Sequence, residues 1–177
     1  FCEGVSDQVF IADFIEFHFN VHFERTIEKK GGQPSISIRN SEIEITPIDG
    51  CTNIHQLVIN KMFIDNTELG GTNLLVFDSD YTGVNGNNGF SNCLTMIEGL
   101  KNNNENPILF HHFLWPNNKE DGLFEDLLGK MIPEEKYCVM ECIETHLACL
   151  ASLKSHLPIK VPGIKDKINS YLYLFNQ

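Results

Sequence analysis

The chain has 177 residues, 42% of them hydrophobic and 21% charged, and a formal net charge of −11. That length suits one domain with a real core, and no apolar run approaches the ~20 residues needed to span a bilayer. The charge argues against a simple nucleic-acid binder, because duplexes are held largely by phosphate neutralisation and an acidic surface repels them.

In chain order, Phe1-Cys2-Glu3 reads as the last residues of a strand. The chain does not open on Met, so some preceding sequence is expected to be missing. Asp7 to about Glu24 carries Phe10, Phe14, Phe17 and Val21 at helical spacing, with Ser6 as the expected N-cap. After Lys29-Lys30-Gly31-Gly32, the stretches Ser35–Arg39 and Glu42–Ile48 alternate polar and apolar like strands. Gly50-Cys51-Thr52-Asn53 leads into a helix bearing Ile54, Leu57, Val58 and Met62. Leu69-Gly70-Gly71-Thr72 turns the chain into the apolar strand Leu74–Asp78.

An Asn-rich loop around Asn85–Asn88 precedes a helix through Met96 and Leu100, and a second such loop spans Asn102–Asn104. Pro107 to Leu114 reads as a buried strand and Leu123 to about Lys130 as a short helix. Pro133 opens a longer helix, with Glu134 and Glu135 favourable in its first turn. A last helix carries Ile164, Ile168, Leu172 and Phe175. Strands alternating with helices predict an α/β fold, a mostly parallel central sheet with helices on both faces. The whole of 1–177 is expected to be one such domain, with C-terminal helices from about 133.

The six cysteines form no Cys-x-x-Cys pair, which argues against a zinc ribbon or a thioredoxin-like site. Cys138, Cys142 and Cys149 share one face of a helix, a spacing expected of a buried apolar stripe. Reduced thiols and a cytoplasmic location are the expectation.

Chemistry concentrates at two acidic signatures. In Leu74–Asp80 the alternation of a strand would put Asp78 and Asp80 on one face. Paired carboxylates repel unless a cation or proton lies between them, and Mg²⁺ favours a few carboxylates plus water and phosphate oxygens. Ligands collect at the carboxyl ends of parallel strands, where Glu3 and Asp78–Asp80 would both lie. The competing readings are structural. Glu3 and Asp7 could simply favour a helix start, and Asp80 could be a turn residue before Gly83.

A strand ending in Glu3-Gly4 and a later one ending in Asp78-Ser79-Asp80 resemble the two signatures of the TOPRIM fold. The longer Glu3-Gly4-x-x-Asp7 is similar to the OLD-type nucleases and the stand-alone bacterial branches, in which the added Asp joins the metal site. Ile48-Asp49-Gly50-Cys51-Thr52-Asn53 resembles the glycine turn after that fold's second strand. Phe113–Asn118 and Gly122–Leu128 also look like segments of the stand-alone families, some without assigned function. The resemblance covers roughly residues 1–130 and rests on short motifs in the right order.

It implies a TOPRIM-like sheet and a Mg²⁺ (or Mn²⁺) site of Glu3, Asp7, Asp78 and Asp80, with Glu3, Asp78 and Asp80 catalytic. Glu125 is the candidate for a second ion. The implied activity is phosphodiester hydrolysis, as by a nuclease in nucleic-acid metabolism or defence, on nucleic acid or a nucleotide and with a possible partner protein. A lysine such as Lys165 or Lys167 could neutralise the transition state. His111-His112 would point to opposite faces of a strand, without a partner at metal spacing.

Two other readings stay open. One is a metal-binding regulatory or interaction module without hydrolysis, which the acidic surface favours. The other is a haloacid-dehalogenase-type phosphatase, with Asp78 as nucleophile and Asp80 as acid/base. The phosphatase leaves Glu3-Gly4 unexplained.

Overall fold

Fifteen residues without Gly or Pro, Val5–Phe19, form the first helix (α1) directly after the strand-like residues 1–3. The computed structural model describes residues 1–30, 33–83, 89–102 and 109–175, side chains at 28–30, 33–35, 51–52 and 57–60 excepted. The glycine turn at 31–32, both Asn-rich loop centres (85–88 and 103–104) and the expected strand start at 107 lie outside these residues. The architecture is mixed α/β. Two compact units divide it, 1–122 and 123–177.

Helix α1 is capped at Gly4, not at the expected Ser6, because the Asp7 carboxylate accepts the Gly4 N–H at 3.1 Å. It ends at Phe19, short of Glu24, where Asn20 takes a left-handed conformation (φ 53°). The expected Phe10/Phe14/Phe17/Val21 face is also corrected: Phe17 is 84% exposed and Phe14 is exposed too. Gln8 and Ala12 turn inward instead. The Gln8 amide fixes this rotation by donating to the Ile36 and Ile45 carbonyls at 2.9 and 2.6 Å.

The hairpin of β1 (Glu24–Lys30) and β2 (Gln33–Arg39) is antiparallel, and β2 pairs antiparallel with the two-residue β3 (Glu44–Ile45). Parallel pairing joins β4 (Leu74–Asp78) to β5 (His111–Trp115). The expectation is a mostly parallel central sheet with helices on both faces; among the named strands of the described residues the parallel sheet has two, and the other three form an antiparallel sheet. The strand expected over Glu42–Ile48 is cut to two residues, but its continuation still pairs. Cys2 forms parallel bridges to both Pro47 and Val76. Thr46 O accepts from Cys2 N, Ile48 N donates to Cys2 O, and Val76 N donates to Phe1 O.

Helices α2 (Leu57–Glu68) and α3 (Phe90–Lys101) flank β4 in sequence. One core of this unit gathers Phe63, Leu75, Phe77, Ile97 and Leu114; another gathers Cys2, Ala12, Phe23, Ile38 and Ile45.

The second unit consists of α4 (Phe124–Lys130), a 3₁₀ turn at Glu134–Lys136, α5 (Tyr137–Leu153) and α6 (Ile164–Phe175). The long helix therefore starts four residues after Pro133, beyond the 3₁₀ turn. Ile132, Met140, Ile168 and Tyr171 form its core. Leu172 and Phe175 are exposed.

The cysteine stripe is a further correction: Cys138, Cys142 and Cys149 are all exposed, because Met140 and Ile143 hold the opposite side of α5 against the core. Cys2 and Cys93 are buried. Burial pushes the Cys2 thiol up to about 12, and the nearby Asp7 and Glu3 carboxylates add to the rise. Alkylation at mildly alkaline pH should thus mark the three α5 thiols and spare Cys2 and Cys93, since thiolate is the reactive form. Peptide mass mapping reads this, and Cys2 reacting as fast as Cys142 would contradict the packing described.

Candidate functional site

Parallel pairing sends residues 1–3, 46–48, β4 and β5 in one direction, so their carboxyl ends share an edge. Glu3 ends the first of these segments and Asp78 ends β4. The Glu3 carboxylate accepts the main-chain N–H of Asp78 at 3.2 Å. Two acids 75 positions apart thus meet. Asp7, one turn into α1, is 8% exposed, as is Asp78. On the other flank Gly50 N donates to Glu3 O, where the backbone reverses through Asp49 (φ 54°) and Gly50 (φ 103°). The latter angle favours glycine, which accounts for its place after Asp49.

Asp80 departs from the strand alternation expected of it. β4 stops at Asp78, and Asp80 is left-handed at φ 57°, so its side-chain direction is set by a turn. Loop 115–122 builds that turn. The fully buried Ser79 places its hydroxyl 2.8, 2.9 and 3.1 Å from the carbonyls of Trp115, Glu120 and Gly122. With one proton, it donates to one of them at a time. Gly122 N returns a hydrogen bond to Asp80 O at 2.8 Å.

Asp121 closes the arrangement: Oδ2 accepts from Thr82 N at 2.9 Å and from the Thr82 hydroxyl at 2.5 Å, and Oδ1 accepts from Phe90 N at 2.7 Å. These bonds, the hydroxyl's first, hold its carboxyl below the usual carboxylate range. Gly89 (φ 107°) lies alongside, where a Cβ would collide with the Thr82 hydroxyl.

The donors near this edge are oxygens, the chemistry suited to a hard cation. Among the described residues no group of three or more His, Cys, Asp or Glu side chains is placed to hold a metal.

Glu125 belongs to the second unit, where its Oε1 lies 3.7 Å from Lys165 Nζ. Lys167 pairs with Glu144. His111 is exposed and His112 half-buried, as expected of adjacent strand residues. Burial, and then the Lys101 ammonium 3.3 Å from its Nδ1, hold His112 below the ordinary histidine range. A cavity of about 290 Å³ lined by Phe1, Ile43, Met62 and Leu74 lies at the opposite, amino end of β4. Sequence reasoning missed Ser79, Thr82 and Asp121. Glu120-Asp121-Gly122 reads as an ordinary turn, and only the fold brings it to Thr82.

A family model described as "Protein of unknown function (DUF3226)" matches residues 1–177. The chain belongs to this family. No curated protein and no solved structure matches the chain. No helix among its described residues is long and apolar enough to cross a membrane.

Proposed function

We propose that this chain is a TOPRIM-type domain that uses Mg²⁺ or Mn²⁺ to act on phosphodiesters. The observation that carries the reading is the contact between the Glu3 carboxylate and the Asp78 main chain at the carboxyl edge of neighbouring parallel segments. The spatial order of those segments (46–48, 1–3, β4, β5) supports it, since a doubly wound sheet also puts its first strand between its second and third.

In this reading one or two of the Glu3, Asp78 and Asp80 carboxylates would touch the ion, the rest would act through its water, and Asp7 would support them. When bound, the metal supplies polarisation of a phosphate oxygen and a more acidic water. The chain's own part is to orient these oxygens: Glu3 through the Asp78 N–H, Asp7 through the Gly4 N–H, and Asp80 through its turn. Glu125 stays the proposed candidate for a second ion, with its Oε1 3.7 Å from Lys165 Nζ.

A second reading, a metal-binding module that works with a partner protein and hydrolyses nothing, is favoured by the charge of −11. Several cations are also already engaged: Arg25 with Asp13 and Glu16, Lys167 with Glu144.

Plasmid nicking and single-strand cleavage in Mg²⁺ or Mn²⁺, with Asp80→Asn as control, separate the readings. Asn tolerates the left-handed backbone, so this variant removes the charge while keeping the turn. Cleavage by the native protein that Asp80→Asn abolishes, with melting unchanged in metal-free buffer, is the expected result. A metal-dependent rise in melting temperature without cleavage would leave the binding module standing. Hydrolysis of p-nitrophenyl phosphate alone would favour the phosphatase chemistry, and no response to metal by any of these measures would remove the metal site.

A further inference from the structure

In the second unit, Glu125 is an acid left short of partners. Its side chain is 12% exposed, and neither of its oxygens accepts a hydrogen bond among the described residues. Oε2 is buried without a partner, and Oε1 has only the Lys165 ammonium, at 3.7 Å and so beyond hydrogen-bond distance. Its neighbour Asp126 accepts the Leu123 N–H at 2.7 Å, so the start of α4 is capped without it. A buried carboxylate with unfilled acceptor sites costs free energy that a donor would recover.

Glu125 also lines a cavity of about 450 Å³ that lies wholly within this unit. The apolar wall of the cavity is Ile132, Met140 and Ile168, three members of the unit's core. Its charged wall is unbalanced. Glu125, Asp126, Glu141 and Glu144 stand against two lysines, of which Lys167 is already bound to Glu144. That volume is in the range of sites for small organic ligands, which combine apolar walls with a few polar groups.

We propose that this cavity binds a primary alkylammonium, with its hydrocarbon arm on Ile132, Met140 and Ile168 and its N–H groups on the Glu125 carboxylate. An ammonium carries three donors and no acceptor, which matches an acid whose acceptor sites are unfilled. An anionic ligand would instead meet four carboxylates. The terminal torsion of a glutamate is soft, so the carboxylate can turn to meet a donor from the cavity. Two sources share this chemistry, a free alkylamine and the lysine side chain of a partner protein. The inference does not rest on the metal reading, and an amine here would compete with a second ion for Glu125.

Methyl NMR of Ile132 and Ile168 in the whole chain reads occupancy of the cavity. Methyl-, butyl- and hexylammonium are titrated into the native protein, Glu125→Gln and Glu135→Gln, with hexanol and hexanoate as controls. Glu135 is exposed in the 3₁₀ turn and does not line the cavity. Saturable shifts are expected with the ammonium ligands, with affinity rising about fourfold for each methylene buried. Glu125→Gln should weaken hexylammonium by at least about tenfold, the loss of a charged hydrogen-bond partner, and Glu135→Gln should match the native protein. Hexanol and hexanoate should bind far more weakly than hexylammonium. Nα-acetyl-lysine methylamide binding as tightly as butylammonium would assign the amine to a partner's lysine, and weaker binding would assign it to a free amine.

Equal affinity for hexylammonium in the native protein and a folded Glu125→Gln overturns the proposal. If that variant fails to fold, the hexanol comparison decides, and hexanol binding as tightly as hexylammonium overturns it. Shifts produced by Mg²⁺ and by none of the amines overturn it in favour of the second ion.

Discussion

Phe63→Ala is expected to lower unfolding stability by about 3–5 kcal/mol, the range for truncating a buried aromatic. Phe63 is 0% exposed on α2, and its ring lies 4.3 Å from that of Phe1 and 5.7 Å from that of Phe110. Those neighbours come from the segment before α1 and from the entry to β5. One side chain therefore joins α2 to both flanks of β4, and no single neighbour can move to fill the space it leaves. Domains are stable by only about 5–15 kcal/mol, so the variant should be half-unfolded at much lower urea. An unchanged slope of the urea curve would assign the effect to the native core. A loss under about 1 kcal/mol would mean that α2 does not pack as described.

Asn73→Ala should be nearly as damaging, for a polar reason. The residue is buried just before β4, with its Nδ2 3.0 Å from Phe63 O and 3.1 Å from both Thr67 Oγ1 and Leu109 O. Its Oδ1 accepts from Asn66 Nδ2 at 2.9 Å. Alanine removes these hydrogen bonds at a buried position, although the Phe63 carbonyl still accepts from the Thr67 hydroxyl, a loss of about 1–3 kcal/mol. Asn73→Asp should do no better, because a carboxylate would face acceptors. Thermal melts of the two variants check this, and an Asp variant as stable as the native protein would show that the amide protons are not required. Since Asn73 binds the carbonyl of Phe63 itself, the double variant with Phe63→Ala should lose less than the two single losses combined.

The parts legible in the sequence are those governed by local chemistry or by chain order. The apolar run before Asp78 is β4, and the alternation of elements correctly brought Glu3 to the end of a neighbouring segment. Helix α1 was legible as a helix but not in its rotation, because Phe14 and Phe17 are exposed while a glutamine is buried. Its amide satisfies two carbonyls from distant strands, a reward that no periodicity reveals. β1 was hidden for a related reason: it is a charged hairpin arm with Ile27 77% exposed, so it lacks the apolar face of a core strand. The Asp80 turn depends on Ser79 reaching carbonyls 36 to 43 positions away. The approach of Glu3 to Asp78 could be read from the chain; the turn at Asp80 could not.

The position of Cys2 between Pro47 and Val76 also bears on how the protein is made. Among the described residues, Cys2 pairs as a strand with partners that come 45 and 74 positions later. At roughly 5–20 residues per second, a ribosome needs about 4–15 s to deliver the second partner. During that interval the nascent strand and α1 have no β4 to join, and the Glu3–Asp78 contact cannot yet exist. The carboxylate edge is therefore a late product of folding, assembled by long loop closure, whereas the β1–β2 hairpin can form from its own local pairs.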